Sequence, residues 1–219
     1  MVLLLVQSST IMKNRPKKPV KTTKGRKFQP VIYSKDEVMS LVDSCNNGPS
    51  GLRNKVLIIV LYRCGLRISE ALGVCSSDYN AQEGTLRIIG KGKKLRMVGV
   101  DAQTKMHLDQ WLEKRSQIGV NGRGNPPIFC GISKNNLGKQ LQTAYVRNLL
   151  KRLGKNAGIE KRMNPHGMRH TFAHDLLNEG IGLNHIQITL GHSSIATTSK
   201  YLQQFNPRET LEKIRERVW

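Results

Sequence analysis

Two arginines, two histidines, a lysine and a tyrosine along this 219-residue chain are of the types needed to break a phosphodiester without a metal. Four of them fall between positions 166 and 201: His166-Gly-Met-Arg169, then His192 within Leu-Gly-His-Ser, then Tyr201. Attack on a phosphodiester piles negative charge on its non-bridging oxygens. A metal-free site therefore needs fixed cationic donors, and arginine suits the task because its planar fork stays charged and donates in pairs. Arg169 is one such donor. If Asn164-Pro165 opens a helix, His166 and Arg169 are three residues apart on one face, where a single phosphate could receive both. His170 would then point to a different part of the surface. On its own, the pair reads more simply as a capped helix start beside a solvated charge. Tyr201 adds a nucleophile. A phenol has a pKa of about 10, so its use at neutral pH requires nearby cations or a base. The stretch 193–202, rich in Ser, Thr and Ala, suits a short, partly polar helix.

The second arginine lies upstream, in Cys64-Gly65-Leu-Arg67-Ile-Ser-Glu70. The apolar run 56–61 reads as a buried helix, closed at Cys64-Gly65 where glycine can take the left-handed conformation. Arg67 opens the next helix, and Glu70, three residues on, can brace a neighbouring basic group. An ordinary surface ion pair, worth little, is the other reading of Arg67 with Glu70. A hairpin follows, 85–89 and 95–100, joined by Gly90-Lys91-Gly-Lys93-Lys94. Its glycines let the turn form, and its three lysines could enter a groove of DNA. One of them could protonate a departing 5′ oxygen, although each also fits a solvated turn.

Taken in order, Gly65-Leu-Arg67-Ile-Ser-Glu70, Ile89-Gly-Lys91-Gly-Lys-Lys, His166-x-x-Arg169-His-Thr-Phe-Ala, Leu190-Gly-His192-Ser-Ser and Tyr201 resemble the catalytic domain of the tyrosine recombinases, a class that includes phage integrases and Xer-like chromosome-dimer resolvases. The resemblance spans roughly residues 30 to 205, and five motifs in the right order are far more specific than any one of them. It implies a site-specific recombinase or integrase in which Tyr201 is the nucleophile, forming a 3′-phosphotyrosyl link. Arg67 and Arg169 would hold the scissile phosphate and His166 would exchange a proton with Tyr201. His192 would donate to a phosphate oxygen, Lys91 would act as general acid, and Glu70 would be a supporting acidic residue. No cofactor and no metal is implied, and Cys45, Cys64, Cys75 and Cys130 show no paired zinc spacing. The implied partners are double-stranded DNA and further copies of the chain in a synaptic tetramer. Two other readings stand beside the enzyme: a DNA-binding accessory protein that keeps the fold, and a type IB topoisomerase-like relaxing enzyme.

The composition suits a polyanionic partner. Against 15 Asp and Glu stand 36 Lys and Arg, a formal charge of +21, which attracts nucleic acid at long range and makes binding salt dependent. Part of that charge is a run at 13–27, eight Lys or Arg that include Lys17, Lys18, Arg26 and Lys27, interrupted by Pro16, Pro19 and Gly25. Such a composition cannot bury a core, so residues 1–28 are expected to form a flexible basic arm that follows phosphates, with a solvated tail as the alternative. Members of the resembling family carry an amino-terminal clamping domain of roughly a hundred residues. Here about thirty precede the match, so no complete core-binding domain is expected, and an accessory DNA-binding protein could supply the clamp. The apolar start, Met1-Val-Leu-Leu-Leu-Val6, is far short of the ~20 residues that span a bilayer. With no signal peptide and no disulfide framework, a cytoplasmic, nucleoid-associated protein is expected.

The elements that must hold these residues read as one domain, 29–219, mostly α with a small antiparallel β-sheet. Ser34-Lys-Asp-Glu37 is a capping box opening a helix, and 102–116 and 141–153 have helical apolar spacing. The stretch 126–130 suits a short strand after a flexible loop at 121–125. Asn206-Pro207-Arg-Glu209 starts a final helix, 207–219, whose Leu211, Ile214 and Val218 share an apolar stripe.

Overall fold

A computed structural model describes residues 30–90, 92, 94–121, 124–191 and 215. The arm at 1–28, Lys91, Lys93, the stretch 193–202 and, but for Arg215, the terminal helix lie outside the described residues. The fold is mostly α with a three-stranded antiparallel sheet, as the sequence implies.

The capping box forms as expected. The backbone N–H of Glu37 donates to Ser34 Oγ at 3.1 Å, and the Ser34 N–H donates to Glu37 Oε2 at 2.7 Å. This starts α1 (Lys35–Asp43), which buries Val38, Leu41 and Val42. The central helix is α2 (Pro49–Arg63), longer than its apolar run because Pro49 occupies its first turn, where a missing N–H costs nothing. Val56, Leu57, Ile58, Val60 and Leu61 are all buried, and α1, α3, α4 and α6 pack around them. Truncating one such leucine to alanine typically costs 2–5 kcal/mol. Helix α2 closes as expected, with Gly65 left-handed at φ 59°. Helix α3 (Ile68–Gly73) follows, then a short 3-10 turn at Ser76–Asp78.

The sheet runs β1 (Tyr79–Asn80), β2 (Thr85–Ile89), β3 (Leu95–Gly99) in that order. Ile88 faces Arg96 and Leu86 faces Val98 across the hairpin. Period-2 alternation buries Leu86, Ile88 and Val98 and leaves Ile89, Leu95 and Met97 exposed. Helix α4 (Ala102–Gln117) is capped by Asp101, and its Trp111 is fully buried, with the indole N–H donating to the Ile128 carbonyl at 2.8 Å. The stretch 126–130 differs from the expected strand. It makes only isolated bridges, Cys75 with Pro127 and Cys130 with Gln140. Two prolines remove ladder donors, and its carbonyls are taken by side chains instead: Pro127 by Arg115, Ile128 by Trp111 and Cys130 by Arg53.

Helix α5 (Thr143–Asn156) buries Val146, Leu149, Leu150 and Leu153 on one side. Helix α6 (Pro165–Asn178) is capped by Asn164, whose side chain accepts from the Gly167 N–H. Tyr33 pins this start: its hydroxyl donates to the Arg162 carbonyl at 2.8 Å and accepts from the Asn164 N–H at 3.0 Å, and its ring leaves no room for a Cβ at Gly167. Helix α7 (Leu183–Leu190) packs on α6 through Ile186 and Leu190, which join Ala173, Phe172, Leu176 and Leu177 in a second, smaller apolar cluster. It ends on Gly191, left-handed at φ 65°.

Candidate active site

Helix α6 presents His166 in its first turn and Arg169 one turn on, as the spacing predicts. Arg169 is buried, and its two terminal nitrogens donate to carbonyls at the ends of other elements: Gly65 after α2 at 2.7 Å and Leu190 at the end of α7 at 2.5 Å. Arg67, the N-cap of α3, keeps about a third of its side chain exposed and donates from Nη2 to the Gly191 carbonyl at 3.1 Å. The two arginines therefore meet at consecutive carbonyls, Leu190 and Gly191, although 102 positions separate them in the chain.

Glu70 joins them. Its carboxylate accepts from the Arg67 backbone N–H at 2.8 Å and from Arg67 Nη1 at 2.7 Å, and it lies 3.8 Å from Arg169. Only 4% of its side chain is exposed, so the surface ion pair considered from sequence does not describe it. Burial by itself would raise this carboxyl. Hydrogen bonds from Arg96, from the Arg67 backbone and from the Arg67 side chain overcome that and hold it at about 2.

Arg96 is the member of the network that motif reading passed over. Its Nη1 and Nη2 donate to the two Glu70 oxygens at 3.1 and 2.8 Å, a bidentate pair, and its Nε donates to the Thr189 carbonyl at 2.9 Å. The signal was present in the sequence. In a strand that alternates, Arg96 shares the inward register with Val98, and a charge on an inward face demands a partner.

His166 keeps solvent-facing surface, yet its imidazole is desolvated enough to pull its pKa below 6.5, and the Arg169 and Arg67 cations lower it further. Both effects favour the neutral imidazole, the form that can accept a proton. His170, expected to point to a different part of the surface, does not. Four residues on, it packs edge-on against His166 with ring centroids 4.5 Å apart, because i and i+4 positions meet on a helix. Lys94 is exposed at the hairpin turn, where its carbonyl accepts from the Gly90 N–H at 2.8 Å. Lys91, Lys93, His192, Tyr201, Lys17, Lys18, Arg26 and Lys27 lie outside the described residues. The structure thus brings Arg67, Glu70, His166 and Arg169 together and adds Arg96.

The model of the phage integrase family matches residues 32–208. The chain belongs to this family. Among relatives of the phage integrase family, it is 35% identical over 188 residues to tyrosine recombinase XerD of Proteus mirabilis, covering 85% of this chain and 59% of that protein. It thus spans less than two thirds of that relative. Among solved structures, it superposes on the XerA recombinase with a TM-score of 0.71 and 28% identity, over 94% of this chain and 68% of that one. A post-cleavage complex of the XerH site-specific recombinase bound to a palindromic difH substrate gives 0.69 and 29%, over 87% of this chain and 54% of that one. Among the described residues, no helix is long and apolar enough to cross a membrane.

Proposed function

We propose that this chain is a site-specific DNA strand transferase that cleaves and rejoins duplex DNA through a 3′-phosphotyrosyl intermediate. The observation that carries this reading is the convergence of Arg67 and Arg169, from different helices, on the end of α7 around one buried carboxylate. Two guanidinium groups held in fixed positions suit the non-bridging oxygens of a phosphodiester, where charge develops. His192 follows Gly191 in the chain and Tyr201 lies ten positions beyond it.

In the proposed reaction the Tyr201 oxygen attacks phosphorus while the phenol proton passes to His166. Arg67, Arg169 and His192 stabilise the pentavalent phosphorus. The bond to the 5′ oxygen breaks, and Lys91 gives that oxygen a proton. Religation is the reverse, with the freed 5′ hydroxyl displacing tyrosine, so the bond energy stays in the phosphotyrosyl link and no metal or cofactor takes part. Duplex DNA is the substrate. The basic residues Lys93, Lys94, Lys17, Lys18, Arg26 and Lys27 follow its backbone. Further copies of the chain form a synaptic tetramer, and an accessory DNA-binding protein can complete the grip. Such an enzyme works in the cytoplasm on chromosomal or mobile-element DNA.

The test uses nicked DNA from the native genomic neighbourhood. A covalent protein–DNA adduct is expected with the unaltered protein. It should vanish in Tyr201→Phe while DNA binding persists, because the substitution deletes one hydroxyl and leaves charge and shape. Equal adduct yield from Tyr201→Phe would overturn the assignment of the nucleophile.

A further inference from the structure

The Arg96 guanidinium sits between two glycines. A Cβ built on Gly90 would lie 3.4 Å from Arg96 Nη1 and 3.8 Å from Glu70 Oε1. One built on Gly191 would lie 3.2 to 3.3 Å from Arg96 Nη1, Cδ and Cζ. Gly191, the C-cap of α7, is one of these backbone walls. The other is Gly90, the residue just before Lys91, whose N–H closes the hairpin turn on the Lys94 carbonyl. All three kinds of Arg96 nitrogen are engaged, Nε with Thr189 and the two Nη with Glu70, and only 11% of the side chain is exposed. The hairpin is therefore fastened near its tip to the carboxylate that braces Arg67 and to the helix end that receives Arg67 and Arg169.

We infer that Arg96 is a positioning residue for Lys91: its guanidinium, clamped by Glu70 and Thr189, anchors the β2–β3 hairpin next to Gly90, and so fixes where the chain enters the turn that carries the general acid. The inference rests on the proposed role of Lys91. Lysine at position 96 cannot reproduce the arrangement, since an ammonium has no planar fork to share between two carboxylate oxygens while also reaching Thr189. A displacement of about 1 Å in a reacting group can cost on the order of 100-fold in rate, so the loss of this seat should appear in the chemical step.

The experiment measures single-turnover cleavage by the full chain at saturating DNA, on an ordinary substrate and on one with sulfur at the 5′ bridging position, whose thiolate leaves without a proton. The variants are Arg96→Ala, Arg96→Lys, Lys91→Ala and the double variant, each checked for folding by thermal unfolding and for DNA affinity. Arg96→Ala is expected to cleave the ordinary substrate about 10- to 100-fold more slowly and to regain most of that on the sulfur substrate, with affinity changed by less than about threefold. Arg96→Lys should recover only part of the rate. The double variant should be no slower than Lys91→Ala. An equal loss on both substrates, or a multiplicative loss in the double variant, would assign Arg96 to the scaffold and overturn the inference. If Lys91→Ala itself is not rescued by sulfur, the role of Lys91 as acid fails, and the double variant still decides whether Arg96 acts through it. If Arg96→Ala unfolds, Arg96→Lys carries the same comparison.

Discussion

Glu70 holds two arginines with almost no help from water, and that has a consequence for stability. Its carboxyl sits at about 2 against an ordinary value of 4.5, because the hydrogen bonds of Arg96 and Arg67 outweigh the burial that opposes ionisation. The folded state therefore binds this proton less readily than the unfolded chain. The stabilisation is present above about pH 4.5 and is lost as pH falls toward 2, and it amounts to roughly 3 kcal/mol. Glu70→Gln keeps the shape and removes the charge, taking from the Arg67 and Arg96 guanidinium groups the carboxylate they share, so it should destabilise the protein by several kcal/mol at pH 7, on the order of 3 to 5. Its stability should also fall less steeply between pH 5 and 2 than that of the unaltered protein. Urea unfolding across that range checks both, and parallel pH curves would remove Glu70 from the account. Its spacing from Arg67 was legible as i and i+3 on one helix. Its second partner was not, because Arg96 reaches it from a strand 26 residues on.

At the scale of elements, the site depends on how closely α2 and α6 approach. Gly65 closes α2 in the left-handed conformation, and a Cβ there would strike the Phe172 ring of α6. That same closure turns the Gly65 carbonyl toward Arg169. Gly65→Ala should therefore cost roughly 2 to 4 kcal/mol, combining the backbone conformation with the steric conflict. DNA cleavage should fall as well, because the support of Arg169 shifts. Thermal unfolding together with the yield of covalent adduct checks this, and an alanine variant of unchanged stability would show that α6 can yield there. As a helix stop, this glycine is legible in the sequence. That it also sets the spacing between two helices comes from Phe172, 107 positions later.

For the whole molecule, the charge of +21 is the dominant property. DNA binding is expected to weaken steeply with salt, and removing residues 1–28, with their eight Lys and Arg at 13–27, should weaken it further and flatten the dependence. Each phosphate left unneutralised by the shorter protein lowers the slope of log affinity against log salt by about 0.9. Titrations of one duplex at several salt concentrations with and without the arm measure this, and an unchanged slope would mean that the arm touches no phosphate.

Local chemistry alone writes part of this molecule. The Ser34 cap, the helix opening at Asn164-Pro165, the glycine stop at Gly65, the hairpin and the buried run of α2 all follow from the preferences of a few neighbouring residues. The ordered motifs did the same for the family. Three-dimensional packing sets which group each polar side chain meets: Arg169 at Gly65 and Leu190, Arg67 at Gly191, His170 against His166, Arg96 at Glu70 and Thr189, and the proline-rich stretch whose carbonyls serve Trp111 and Arg115. The reason is physical. Periodicity records that a face will be covered, whereas the partner that covers it is set by the packing of elements a hundred residues apart, and a buried guanidinium takes the carbonyls that this packing brings within reach.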